Sequence, residues 1–392
     1  MTVAAMPLDG IRVLDFSRVI AGPFAGRMLS DLGAEVVKVE PPEGDISRRW
    51  GRRVAGIGGA YTQQNAGKRS VCLDLRVEEA RALARRLAAH ADVVIENFRP
   101  GVMARFGLAW EDLQAVNPRL VMLSISGFGQ DGPERNRASY APIIHAETGL
   151  LHRQAHLDGD RPTDFALSMA DTYSALHGLV GLLAALQYAT RTGVGQHVDV
   201  AMVAAMVASD DGASSVADGQ PVTRPGNRIF DATGGPIIIA GDEKWLWHQL
   251  STCCGLEAAA PPDADVATKV AARRRAIESF LVSFDTRERL IEQLDRANLA
   301  WGDVHDHRHA FQRQRTIVER GVLTAVDDRA GGTRPVTQSP YRFSAGRAEV
   351  RGPAAHLGEH NDDVLTGWLD LGGEELDALR RCGALCGADG DT

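Results

Sequence analysis

The order of segments along the chain predicts a doubly wound α/β fold. It comprises a large domain with a mainly parallel sheet and helices on both faces, and a smaller α+β domain. Three observations carry this. Strand-like and helix-like segments alternate from residue 11 to residue 207, and strands separated by helices pair in parallel. A chain of 392 residues has room for about two domains. Residues 209–227, rich in Asp, Gly, Ser and Pro, read as a linker between them.

The elements follow in order. Residues 11–16 are strand-like, and residues 25–32 form a helix stopped by Gly33. Residues 35–40 make the next strand, closed by Pro41-Pro42, and residues 71–75 a third. Residues 77–90 are helical, because Ala80, Leu83, Ala84 and Leu87 recur at helical spacing. Strands are expected at 92–95 and 120–125. A long apolar helix occupies 168–186, ending in the turn signal 190–196, and a strand at 197–200 leads to a helix through Val207. The second domain is expected at 228–333, with a strand at 236–240 and helices at 243–252, 266–283, 287–297 and 310–320. Residues 334–392 return to the large domain (1–208), with strand-like Tyr341-Arg342-Phe343-Ser344 and a terminal helix at 374–381. In a sheet of this kind ligands bind in the loops beyond the carboxyl ends of the strands. Those loops are 18–21, 41–48, 74–76, 97–101 and 126–132.

A net charge of −8 argues against a nucleic-acid partner, which calls for a basic face. The five cysteines are odd in number and two are adjacent, so reduced thiols in a cytoplasmic protein are expected. The first residues lack a signal-peptide pattern, and the run Leu176 to Leu186, interrupted by His177, falls short of the roughly 20 residues a membrane span needs. A soluble protein without a membrane partner is expected.

Several local patterns compete for a function. Gly127-Phe128-Gly129-Gln130-Asp131-Gly132 matches a dinucleotide-binding loop, but that mechanism needs a helix directly after the glycines. Here the polar run Pro133 to Arg137 follows, so the segment reads as a flexible glycine turn, and its better functional reading is a loop that approaches a ligand closely. His305-Asp306-His307-Arg308-His309 lacks a supporting ligand set and reads as a solvated loop rather than a metal site. Cys382 and Cys386, four apart in the expected terminal helix, are idle thiols. No serine-hydrolase elbow or Walker loop occurs. His145 is either an acid/base group or a structural histidine. Asp171 stands at the entry to the long apolar helix. The helix dipole there favours its ionised form, which suits a nucleophile and equally a helix cap.

Many ordered segments together resemble the class III CoA-transferases, the CaiB/BaiF family. They are Pro7 to Asp15, Arg18-Val19-Ile20-Ala21-Gly22-Pro23-Phe24, Asp31 to Pro41, Asn65 to Ser70 with Leu73-Asp74-Leu75, and Glu96-Asn97-Phe98-Arg99-Pro100-Gly101. Ser124 to Pro133, Arg191 to Val200 and Leu357-Gly358-Glu359-His360 complete the pattern. The match is dense from Pro7 to Met206 and looser beyond.

This resemblance implies a Rossmann-like large domain and two chains interlocked in a homodimer. It also implies a ping-pong CoA-transferase in which Asp171 attacks an acyl-CoA thioester and passes through a mixed anhydride. Coenzyme A thioester and a carboxylic acid are then substrates, and no cofactor stays bound. By the same resemblance, CoA is held at Val19, Ile20, Ala21, Leu73, Asp74, Leu75, Arg76, Asn97, Phe98, Arg99 and Arg105, and Tyr140 lines the pocket. Arginine suits the phosphates because its planar fork binds them bidentately. Two features depart from the family. Ala141 stands where an acidic residue is common, and the second domain is short. Related racemases use a histidine where this chain has Tyr140, which favours transfer over epimerisation of a 2-methylacyl-CoA. A non-catalytic CoA-binding protein is the remaining alternative.

Overall fold

The computed structural model describes residues 5–220, 223 and 227–387. The chain divides into two compact units, Met1–Asp218 with Glu319–Thr392, and Gly219–Val318.

The large unit is built on a seven-stranded sheet. Its spatial order is Leu385–Cys386, Arg69–Leu73, Glu35–Glu40, Arg12–Asp15, Val93–Glu96, Val121–Ser126, Gln196–Ala201. All neighbours pair in parallel except the edge strand Leu385–Cys386. The inner strands are apolar on both faces: Val13 and Leu14, Val36 and Val37, Val93 and Val94, and Leu123 are each at most 1% exposed. Strands of this kind have both faces covered by helices. On one face Glu78–Ala89, Asn361–Leu369 and Gly373–Arg381 complete a core around Leu14, Val94 and Met122. On the other, Ala21–Asp31 and Met169–Thr192 pack on Val13, Ile95 and Leu123.

The Met169–Thr192 helix is long and apolar enough by length and composition to cross a membrane. One face lies on the sheet, and Gly178 lets it come close. A Cβ there would meet Leu123 Cδ1 at 3.0 Å, so a larger residue would force the helix off strand Val121–Ser126 and disturb a close-packed core.

From Arg12–Asp15 the chain builds outward to Glu35–Glu40 and Arg69–Leu73. It then crosses to Val93–Glu96 on the opposite side. The loops after Asp15 and Glu96 therefore diverge and open a crevice at the carboxyl ends of the strands, where sheets of this topology bind ligands.

The smaller unit holds a three-stranded antiparallel sheet of Arg228–Phe230, Ile237–Ile239 and Trp301–Asp303. Helices Glu243–Cys254, Val266–Leu281 and Arg287–Arg296 supply its core through Leu246, Leu250, Ile277, Leu281, Leu290 and Leu294. Asp242, Asp265 and Thr286 each cap a helix start by accepting a backbone N–H.

Local structure departs from expectation at five places. Residues 209–227 contain a helical turn, Ala213–Ala217. The helix expected at 310–320 is two short pieces, Ala310–Arg313 and Arg315–Glu319, because Gln314 is extended. Residues 341–344 form no strand, while Leu323–Asp327 and Thr333–Thr337 pair as a hairpin. Cys386 lies beyond the terminal helix in the edge strand, opposite Cys72. Helices Ala141–Glu147 and Leu150–Asp158 occupy a stretch between the strand expected at 120–125 and the helix expected at 168–186, where no element is predicted.

Candidate active site

The crevice is built from the strand ends upward. Val19 carries φ +72°, a left-handed backbone that a β-branched residue adopts only at a cost of about 1–3 kcal/mol. The surrounding bonds over-determine it. Asn97 clamps Arg18, its Oδ1 accepting the Arg18 N–H at 2.7 Å and its Nδ2 donating to the Arg18 carbonyl at 2.8 Å. Asp45 Oδ2 accepts the Val19 N–H at 3.0 Å. Beneath them Lys38 Nζ donates to the Ser17 carbonyl at 2.7 Å and pairs with Asp45 at 3.3 Å. Lys68 pairs with Asp15 at 2.8 Å, with both side chains at most 1% exposed. Burial pushes the Lys68 amine down to about 8. Burial opposes ionisation of Asp45 as well, but Lys38 and the Ser47 hydrogen bonds hold its carboxyl below the usual range. Every charge in this layer has a partner, the condition under which buried ions are tolerated.

Above this layer lies a cleft of about 330 Å³ lined by Arg18, Val19, Ala21, Asn97, Phe98, Arg99, Tyr140 and Asp171, with Arg135, Arg137 and Ser139 on the far wall. A second groove of about 440 Å³ runs beside it, sharing Arg18, Phe98 and Val102 and lined further by Leu73, Asp74, Leu75 and Arg76. Most residues expected at the site thus stand in one continuous trough. Ile20 and Arg105 line neither part: Ile20 is the residue before helix Ala21–Asp31, and Arg105 ends the short Val102–Arg105 helix, exposed. The Glu96 carboxyl, pushed up to about 7 by burial, accepts the Phe98 N–H at 2.8 Å and steadies the Asn97–Arg99 turn.

The arginines differ in readiness. Arg76 is already held by Asp74 at 2.7 Å and by Glu43 at 3.0 Å, and its hydrogen bond keeps the Asp74 carboxyl below its ordinary value. Arg137 is taken by Glu134 at 2.8 Å and by Glu147, and lies over the Phe128 ring. Among the described residues the guanidinium groups of Arg99 and Arg135 have no hydrogen-bonded or ionic partner. Arg18, at the junction of the two grooves, has a buried Nε without a partner. Arg18, Arg135 and Arg137 line the trough from the loops 18–21 and 133–137 and are not among the residues the sequence predicts for the site.

Asp171 is the third residue of the Met169–Thr192 helix. Its carboxyl makes no hydrogen bond among the described residues, so it does not cap the helix it opens. Burial pushes this carboxyl up to about 6, outweighing the dipole that favours the charged form. The result is a partly buried, unpartnered carboxyl facing the cleft, which is what a nucleophile needs to reach an electrophile without first breaking a bond. The cap belongs to His145, whose Nε2 accepts the Ala170 N–H at 3.1 Å. Tyr140 is 68% exposed on the cleft wall and Ala141 is buried behind it.

Gly127 lets the far wall close in, since a Cβ there would lie 1.7 Å from Ser139 Oγ. Residues 127–140 continue as loop, without the helix that a dinucleotide site requires. In the smaller unit His307 is 93% exposed and Asp306 is paired with Arg308 at 2.5 Å.

A parallel α/β sheet thus carries a bare carboxyl and an arginine-lined trough at its switch point. The profile of CoA-transferase family III matches residues 8–361. Succinate–glutarate CoA-transferase of Agrobacterium fabrum is 33% identical over 383 residues, spanning 92% of this chain and 95% of that protein. Formyl-CoA:oxalate CoA-transferase of Streptomyces avermitilis is 30% identical over 410 residues, spanning 96% and 99%. A CaiB/BaiF family protein from Brucella suis has a crystal structure with a TM-score of 0.78 at 32% identity, covering 93% of this chain and 100% of that one. The chain belongs to the class III CoA-transferases, the CaiB/BaiF family, and is a CoA-transferase.

Proposed function

We propose that Asp171 is the nucleophile of a two-stage exchange. Its carboxylate oxygen attacks the thioester carbonyl of an acyl-CoA; the C–S bond breaks, leaving an aspartyl–acyl anhydride and CoA thiolate. The acceptor carboxylate then attacks the Asp171 carbonyl carbon and expels the donor acid as its carboxylate, giving a second anhydride. The thiolate attacks the acceptor's carbonyl, forms the new thioester and frees Asp171. No proton or redox partner is consumed. Splitting the exchange replaces one difficult step by easier ones. Retention of the thiolate keeps its effective concentration high.

The observation that carries this reading is the unpartnered Asp171 carboxyl in the trough. Coenzyme A is taken to lie along the two grooves, over Val19 and Ala21, past Asn97, Phe98 and Arg99, to Leu73, Asp74, Leu75 and Arg76. Ile20 and Arg105 stand outside both grooves. The CoA thioester is a substrate, and no resident cofactor is required.

The acid pair is taken to be short dicarboxylic acids. Relatives act on succinate, glutarate and oxalate by name, and the guanidinium of Arg135, on the wall of the cleft that Asp171 also lines, suits a second carboxylate. A homodimer is supported by the apolar outer face of the Met169–Thr192 helix, where Leu176, Val180, Leu183 and Tyr188 are 41, 71, 37 and 39% exposed. Five free cysteines favour a reducing, cytoplasmic setting.

The test is to incubate the protein with acyl-CoA and then with hydroxylamine or borohydride. A modification trapped at Asp171 supports the reading. Transfer that survives in both Asp171→Asn and Asp171→Ala contradicts it. Solvent deuterium entering the α-carbon without exchange of CoA between acids would favour the racemase alternative.

A further inference from the structure

We infer that His145 is a positioning residue of the transfer reaction. Its neutral imidazole caps the amide of Ala170 and thereby fixes the backbone that presents Asp171. The inference rests on the reading of Asp171 as nucleophile.

The geometry assigns the tautomer. The Ala170 N–H can only donate, so His145 Nε2, 3.1 Å away, must offer its lone pair. The ring proton then sits on Nδ1, which faces Asp164 Oδ1 at 3.0 Å. Both ring nitrogens are thus engaged, and Nε2 is not available to exchange a proton with a substrate. The imidazole is 1% exposed and packs edge-on against Phe165 at 5.4 Å.

The cap comes from outside the helix it serves. Ser168, at the position that usually caps, makes no side-chain bond to the helix, and the Asp171 carboxyl is free. The second amide of the helix is instead satisfied by helix Ala141–Glu147, which begins directly after Tyr140 on the cleft wall. The Ala170 carbonyl accepts from Ser174 Oγ at 2.7 Å. The residue before Asp171 is therefore held at both its N–H and its C=O, while the carboxyl keeps every lone pair for substrate. A cap supplied by Asp171 itself would spend the nucleophile on the helix.

The test uses the full chain with succinyl-CoA as donor and glutarate as acceptor, reading kcat, KM and the hydroxylamine-trapped Asp171 adduct. His145→Leu leaves the Ala170 amide buried without an acceptor. It is expected to lower kcat on the order of 10- to 100-fold, with KM for succinyl-CoA changed by less than about twofold. His145→Gln, whose amide oxygen accepts the same N–H, is expected to recover most of that loss. Asp164→Asn keeps an acceptor for Nδ1–H and stays near wild type, whereas Asp164→Ala falls between. If His145→Leu does not fold, the Asp164→Asn and Asp164→Ala pair carries the test. Unchanged kcat in His145→Leu, or in Asp164→Ala if that pair stands alone, overturns the inference. So does loss in His145→Gln and Asp164→Asn as deep as in the apolar variants, since that marks an imidazole needed for chemistry. No adduct in the wild type overturns the nucleophile assignment and this inference with it. Normal wild-type trapping with unaffected variants overturns the positioning role alone.

Discussion

The two walls of the trough are made differently. The wall formed by residues 15–21 sits on the buried Lys38–Asp45 and Lys68–Asp15 pairs, and it holds Val19 in a conformation the residue would not choose. The opposite wall, residues 132–140, is exposed except at half-buried Ser139, and among the described residues the side chains of Arg135 and Tyr140 make no hydrogen bond. A fixed wall suits the part of the substrate that never changes, the coenzyme. An open wall suits the part that differs between enzymes, the acid. Fold alone does not set the latter.

The largest expected effect lies between the walls. Asp171→Ala is expected to lower kcat by at least about 1,000-fold with little change in CoA affinity, measured by steady-state transfer and by calorimetric titration. A drop of less than tenfold would place the nucleophile elsewhere. On the fixed wall, Lys68→Met strands the buried Asp15 carboxyl and is expected to destabilise the protein by about 3–5 kcal/mol, read by denaturant unfolding. A neutral result would mean that the buried layer does not hold the strained turn.

The pH dependence follows from the bare carboxyl. Burial raises Asp171 to about 6 in the folded state from an ordinary 3.8, so the folded chain binds the extra proton between those values. Asp171 therefore favours folding below about 4, and this contribution is lost as pH rises through 6. Asp171→Asn should be more stable than wild type at pH 8 by up to about 3 kcal/mol and no more stable at pH 3. Transfer needs the carboxylate and should rise as pH passes 6 from below. An Asn variant less stable at pH 8 would show that the carboxylate is satisfied rather than bare.

The smallest effects separate the walls by substrate. Arg135→Ala should raise KM for a dicarboxylic acceptor about tenfold and leave KM for acyl-CoA unchanged. Arg76→Ala should raise KM for acyl-CoA less than Arg99→Ala does, because Arg76 is already engaged by Asp74 and Glu43. Equal effects would mean that those carboxylates release Arg76 when CoA binds.

The sheet was legible in the sequence because each inner strand is a short apolar run between turn residues. The strand expected at 35–40 falls there, and the one expected at 92–95 lies one residue later, at 93–96. The position of Asp171 at a helix start was equally legible. Its freedom was not, because the cap comes from His145, and that hydrogen bond spans 25 positions. Arg18 escaped for a related reason. Its place at the junction of the grooves depends on Asn97, 79 residues later, gripping its backbone. Periodicity reports local geometry, and these features are tertiary.

The edge strand Leu385–Cys386 has a consequence for the order in which the molecule is made. It closes the open flank of Arg69–Leu73, and Asn361 ties the two strands together by accepting from the Cys72 amide and donating to the Cys386 carbonyl. On the ribosome, the sheet's first strands emerge more than 300 residues before that cover. Until then the flank next to Leu73 and Asp74 is an unpaired template for other chains. The nascent protein therefore depends on late residues to silence an early edge.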